Sequence, residues 1–465
     1  VHYEATPDYD ETEKKNAMQT SLDMRRWQRR IFGTVWITYF MYYFCRVNMP
    51  VAKSSLSEAF AWSAADIGAI FTALTIMYAV GQFVNGQLGD RFGTRLISTI
   101  GCAFSVLMNL AVFGTLMIAP KTSVSPSTVL FLLVVFWGLN GFFQAMGWSP
   151  MVKVMAHWFP LKGRGKIMGW LGTCYQLGNA SATLLALFLV TMYVTKHNGD
   201  WRMVFVVPSV LFAGTGVFFF CSLRNRPEDV GLPPIDEPVL ETTTVGEPSG
   251  TQPRTIRENI IATLRNPYLW IVAAAFFMLD VNRYGFINWL PAYVMEAQKT
   301  AGADVSVSFL KNAMKLGIHP IAGSVGVIVC GWATDRFFQG RRAPVIALAL
   351  LALGFFSILF PRVDANNTPL LVAVVAAIGF FTYGAHILMV GHAAQDFGHK
   401  QGAAGAAGFI DGMGYIGASL AGWGAGRLID IRSYGFTFVM AGVCALIGAV
   451  LISLIWKIRP QSEHE

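Results

Sequence analysis

The chain has 465 residues, of which 54% are hydrophobic and only 13% charged. A soluble chain carries about 25% charged residues and at this length would fold as several water-coated domains. Too little charge is present for such surfaces, so the solvent around much of the chain is lipid, and disorder, collagen and coiled coil are excluded by the same numbers. The formal charge of +8 would suggest nucleic acid in a soluble protein; in a membrane protein it reads as basic loops on one side, and no nucleic-acid partner is expected.

Residues 1–30 are polar and end in Arg25, Arg26, Arg29 and Arg30. The apolar stretch that follows starts too late and runs too long for a cleaved signal, so 1–30 is expected to be a cytoplasmic N-terminal segment. A transmembrane helix needs about 20 mostly apolar residues. Twelve candidates follow in order: 31–51, 67–88, 96–119, 128–152, 167–195, 203–223, 268–295, 316–333, 343–361, 368–394, 402–426 and 434–456. They are too long and too little alternating for barrel strands. The expected fold is an all-α membrane protein of two six-helix bundles, 31–223 and 265–457. Between them lies a Pro-, Glu- and Thr-rich cytoplasmic linker, 224–264, and 458–465 is a cytoplasmic tail. With the N-terminus inside, 23 basic residues fall in inside segments and ten in outside segments, a bias that places both termini in the cytoplasm. The six cysteines lie within apolar stretches without CxxC spacing and read as small buried residues, not as a disulfide or metal framework.

The halves resemble each other. Gly141-Phe142-Phe143 in span four matches Gly379-Phe380-Phe381 in span ten, Gly178 in span five matches Gly417 in span eleven, and Arg46 in span one matches Arg283 in span seven, all at nearly one offset. Such spacing is left by a duplicated unit whose halves meet at a midplane site and rock about it. After span two comes Gly89-Asp90-Arg91-Phe92-Gly93, and a degenerate copy after span eight carries Asp335 and Arg336. These read either as paired conformational latches or as two basic juxtamembrane turns.

Arg46 and Arg283 are the two basic residues inside spans. A midplane charge costs at least ~2.5 kcal/mol, so such residues face a cavity. Facing each other across a pseudo-twofold axis, two guanidinium forks suit a phosphate, which each binds bidentately. Asp280 precedes Arg283 by one helical turn, so a local ion pair is the competing reading there. Polar residues recur at helical spacing: Tyr39, Tyr43 and Arg46; Tyr78, Gln82 and Asn85; Asn140, Gln144 and Trp148; Tyr175 and Asn179; Tyr383 and His386; Asp411, Tyr415 and Ser419. Such stripes line a polar cavity or join helix to helix. Asp411 reads as an acceptor of a coupling proton or as the partner of an arginine. No P-loop, HExxH, GxSxG or dinucleotide turn is present, so neither enzyme activity, catalytic residues, cofactor nor metal is expected.

These residues resemble the major facilitator superfamily and, within it, the organophosphate:phosphate antiporter family. The resemblance is carried by Tyr42-Tyr43-Phe44-Cys45-Arg46-Val47-Asn48, Phe143-Gln144-Ala145-Met146-Gly147-Trp148-Ser149-Pro150, Gly231-Leu232-Pro233-Pro234-Ile235, Arg283-Tyr284-Gly285-Phe286-Ile287-Asn288-Trp289-Leu290-Pro291, Tyr383-Gly384 and Gly405-Ala406-Ala407-Gly408-Phe409. It implies a monomeric carrier in a bacterial inner membrane that exchanges a small organophosphate for inorganic phosphate by rocking. Arg46 and Arg283 would hold the phosphate, and Tyr39, Tyr43, Tyr78, Trp148, Tyr383 and Tyr415 would line the cavity. A proton-coupled organic-anion symporter and a sugar-phosphate sensor are the competing functions. The glycerol-phosphate branch has a lysine where this chain has Gln82, a histidine at Tyr175 and a basic residue at Val47. The cavity here is therefore less positive, which suits a larger substrate, one with its own cation, or proton coupling.

Overall fold

A computed structural model describes residues 8–195, 200–235, 264–300, 309–338, 341–364, 367–393 and 403–456. The described residues are almost entirely helical. The first half holds α1 (Asp8–Tyr42), α2 (Asn48–Phe60), α3 (Ala64–Phe92), α4 (Thr94–Ile118), α5 (Pro126–Gln144), α6 (Trp148–Trp158), α7 (Leu161–Thr195) and α8 (Met203–Ser222). The second holds α9 (Pro267–Thr300), α10 (Phe309–Phe338), α11 (Arg342–Leu359), α12 (Thr368–Ile387), α13 (Ala403–Leu420), α14 (Trp423–Ile431) and α15 (Tyr434–Ser453). Ten helices among the described residues are long and apolar enough to cross a membrane. The first and eleventh candidate spans differ from the expectation: 31–51 is divided after Tyr42 and 402–426 after Leu420, so neither is one long apolar helix. Large side chains such as Phe131, Val217, Ile328 and Val450 are exposed on the outside of the bundle, as lipid-facing positions require. All six cysteines are free; five are buried or half-buried, but Cys221 is exposed, contrary to the expectation.

The same pairing scheme occurs twice. α3 packs on α5 as α10 packs on α12; α4 on α8 as α11 on α15; α1 on α7 as α9 on α13. The repeated glycines sit where these pairs approach most closely. A Cβ on Gly141 would strike the Leu74 carbonyl, and one on Gly379 the His319 carbonyl. Gly178 lies against the Phe40 carbonyl, where a Cβ would come within 2.6 Å, and Gly417 against that of Phe277. Helices this close exclude any side chain at the crossing, which is why the glycines recur at the repeat offset.

Span one breaks where its polar residues gather. After α1 the chain makes a 3₁₀ turn, Tyr43–Cys45, and Arg46 adopts a non-helical conformation, φ −124°. Pro50 is tolerated three residues into α2, where its missing N–H would have had no helical partner. The carbonyls freed by the break are taken up by other spans. Gln144 Nε2 donates to the Tyr42 carbonyl at 3.2 Å, and Asn140 and Asn109 donate to that of Cys45 at 2.9 and 3.2 Å. Span four is interrupted in the same way, between Gln144 and Trp148, with Pro150 three residues into α6.

The halves close on each other at the membrane face opposite the start of α1. The amides of Ala64 and Ala65, at the N-terminus of α3, donate to the two carboxylate oxygens of Asp430 on α14 at 2.7 and 2.8 Å. Thr72 donates to the Ser419 carbonyl and accepts from the Trp423 amide. Lys53 is bonded to the Tyr434 hydroxyl and lies 5.0 Å from the Trp289 ring centre. A carboxylate on two orphan amides of a helix N-terminus gains from both the hydrogen bonds and the dipole. Asp430→Ala should therefore raise hydrogen–deuterium exchange in the first turns of α3 and in α14 together. Ser63→Ala strips only the local capping box with Asp66 and should raise it in α3 alone.

Candidate substrate site

Both intramembrane arginines line one cavity between the halves. It is also lined by Tyr43, Thr75, Tyr175, Asn179, Tyr284, Asn288 and Tyr383, with Phe71, Leu74 and Trp137 on its apolar side. Arg46 reaches it from the break in span one and Arg283 from the unbroken α9.

The two guanidiniums are held differently. Arg46 donates from Nε and one Nη to the same Gln144 Oε1, at 3.1 and 2.9 Å. It lies 4.9 Å from the Tyr43 ring centre and 4.7 Å from that of Tyr78. Gln144 is fully buried and bonded in turn to the Tyr42 carbonyl. Arg46 is thus fixed by a neutral amide and two aromatic faces, and its charge remains available to an anion. Arg283 instead donates from Nη1 to Asp280 at 3.3 Å and pairs with His386 Nε2 at 2.9 Å, so the local ion pair read from the spacing is formed. Because Arg283 has no acceptor capacity, His386 Nε2 is the acceptor there. The Tyr284 and Tyr383 rings flank the guanidinium at 5.2 and 5.4 Å. Among the described residues its buried Nε has no hydrogen-bond partner, nor do His386 Nδ1 and Asn288 Nδ2. Buried donors left open beside a cavity are what an absent ligand or water would satisfy.

The other sequence-selected residues fall around this centre. Tyr39 packs against Trp148 at 4.8 Å and Tyr43 at 6.0 Å, and Trp148 meets Tyr175 edge-on at 6.2 Å. Tyr78 and Tyr415 meet across the halves at 4.9 Å. Gln82 is half-buried one turn along α3 from Tyr78. Asp411 is half-buried on α13, one turn before Gly414, which packs against Asp280. The side chains of Asp90 and Asp335 lie outside the described residues, while Arg91 and Arg336 are exposed. Tyr284 and Asn288 stand in the span-seven motif that carries the resemblance, without a site role assigned to them there, and Thr75 carries no signal in the sequence. Tyr284 and Asn288 stand one and five positions from Arg283, a spacing that signals a shared region of α9 only once the helix is known to face a cavity.

Two halves with the same helix pairing, meeting around a polar cavity, define a membrane transporter. The sequence profile described as Major Facilitator Superfamily matches residues 35–422. The chain is 30% identical over 443 residues to a probable hexose phosphate transport protein of Chlamydia pneumoniae, covering 93% of this chain and 91% of the relative. It is 29% identical to the glycerol-3-phosphate transporter of Bacillus subtilis, covering 95% of both, and 29% identical to the membrane sensor protein UhpC of Salmonella typhimurium, covering 95% and 94%. Among solved structures, a bacterial homologue of the human lysosomal transporter Spinster has the same fold, with a TM-score of 0.68 at 14% identity, covering 92% of this chain and 96% of that one. The chain belongs to the Major Facilitator Superfamily and, within it, to the organophosphate:phosphate antiporter family. It is a transporter-family protein and not an enzyme.

Proposed function

We propose that this protein carries a small phosphorylated compound across the membrane in exchange for inorganic phosphate, with the phosphoryl group bound between Arg46 and Arg283. The observation that carries the reading is their convergence on one cavity from equivalent spans of the two halves. In the described state the halves meet at the face opposite the start of α1. Rocking about the cavity would break the Asp430, Thr72 and Lys53 contacts and form others at the opposite face, where Arg91 and Arg336 stand. Arg46 offers its charge and its remaining N–H groups to the anion, and Arg283 offers its open Nε. Tyr43, Tyr175, Tyr284, Tyr383 and Asn288 supply hydroxyl and amide donors for the organic part. The positive-inside bias supports cytoplasmic termini in a bacterial inner membrane, and nothing in the site requires a second copy of the chain.

The test is uptake of labelled phosphate into proteoliposomes preloaded with phosphate. Uptake is expected, with competition by hexose and glycerol phosphates; no uptake despite a ligand-induced rise in melting temperature would replace transport by sensing. The sensor reading has one specific support, the 29% identity to a membrane sensor protein.

A further inference from the structure

At the closed face a buried cation is held by aromatic groups instead of by an acid. Lys53 on α2 is 6% exposed. Its ammonium is bonded to the Tyr434 hydroxyl and lies over two rings, 4.5 Å from the centre of Tyr434 and 5.0 Å from that of Trp289. Among the described residues no carboxylate forms an ion pair with it. Asp430, four residues before Tyr434, gives both oxygens to the Ala64 and Ala65 amides, and Glu296, towards the end of α9, is exposed. A hydrogen bond to a phenol needs no charge, and taking an ammonium out of water costs more than cation–π contacts return. Lysine is therefore a costly way to join two helices. Its partners are all on the second half, Tyr434 on α15 and Trp289 on α9, so the three contacts break together when the halves part at this face. The ammonium is then left at the mouth of the opening. It stands on the way to the cavity: Lys53 is five residues beyond the start of α2, roughly 8 Å along the helix from the break that carries Arg46. Trp289 in turn meets Phe71 of the cavity wall edge-on at 5.5 Å.

We propose that Lys53 is a second anion site, a loading station used only when the carrier is open at the face opposite the start of α1, the outer face when the termini are cytoplasmic. There the ammonium, freed from Tyr434 and Trp289, pairs with the phosphoryl group before Arg46 and Arg283 do. On closure the phenol and the indole retake the ammonium, and the anion is left to the arginines. The inference rests on the phosphate reading above and deepens it.

The test measures the KM for inorganic phosphate from each side, in right-side-out and inside-out membrane vesicles preloaded with phosphate. In Lys53→Gln the ratio of outer to inner KM should rise about tenfold, and the outer KM should lose part of its dependence on ionic strength. Lys53→Arg, which keeps the charge, should stay near the wild-type ratio. A lysine that only closes the gate predicts the opposite sign. Weakening the closed face favours the outward-open state, which lowers the outer KM and raises the inner one. Tyr434→Phe, which removes the hydroxyl and leaves the ammonium, should show that fall in the ratio. The ratio is read within each variant, so differences in the amount of folded protein do not distort it. A fall or no change in the ratio in Lys53→Gln would overturn the inference and leave the phosphate reading standing. The absence of saturable phosphate exchange from both sides in the wild type would remove the phosphate reading itself, and this inference with it.

Discussion

Arg46→Lys is expected to lower phosphate exchange roughly a hundredfold or more while the protein still folds. Lysine keeps the positive charge, so a loss cannot be assigned to net charge. What it removes is the planar fork. Arg46 spends Nε and one Nη on Gln144 Oε1 and keeps its other N–H groups for the cavity, a division that a single ammonium cannot make. It also loses the flat face lying over Tyr43 and Tyr78. Losing one charge-assisted hydrogen bond, worth about 1.5–3 kcal/mol, corresponds to a roughly ten- to hundred-fold effect, and losing two to more. The measurement is the initial rate of exchange in proteoliposomes, with melting temperature as the control for folding. Normal exchange in both Arg46→Lys and Arg283→Lys would remove the paired-fork site.

Much of this site was legible before any coordinates. A charge inside an apolar span is conspicuous because lipid penalises it, and a second one at the repeat offset needs only arithmetic. The glycines at that offset were legible as well, and the structure supplies their cause in the carbonyls of Leu74, Phe40, Phe277 and His319. The breaks at Tyr43–Val47 and Ala145–Gly147 were not legible. The apolar pattern runs through both; the carbonyls freed by the first are satisfied by Asn109, Asn140 and Gln144, and the Met146 carbonyl at the second by Ser98, residues distant in sequence. The helical spacing that grouped Tyr39, Tyr43 and Arg46 assumed one continuous helix. They still gather at one site, but around a turn rather than along a stripe. The asymmetry between the arginines was half legible: Asp280 is local to Arg283, whereas Gln144 reaches Arg46 only through the packing of span four on span one.

That asymmetry makes Gln144 the second position at which a large effect is expected. Gln144→Leu fills a similar volume but leaves two Arg46 N–H groups and the Tyr42 carbonyl without their partner in a fully buried site. Losing a hydrogen bond from a charged donor to a neutral acceptor costs about 1.5–3 kcal/mol, and less where the guanidinium can turn towards the cavity. A clear fall in melting temperature is expected, together with weaker exchange. Gln144→Glu separates the two roles. Its carboxylate still accepts from Arg46, so the fork stays in place and stability is largely retained, apart from the lost donor to Tyr42. It also converts Arg46 into an ion pair like Arg283 with Asp280, and the empty site gains a negative charge. Phosphate then competes with an internal anion on both sides of the cavity, and its affinity should fall about tenfold or more by thermal shift. If Gln144→Glu instead binds phosphate as tightly as the wild type, the free charge of Arg46 is not what draws the anion, and Gln144 serves only to brace the break in span one.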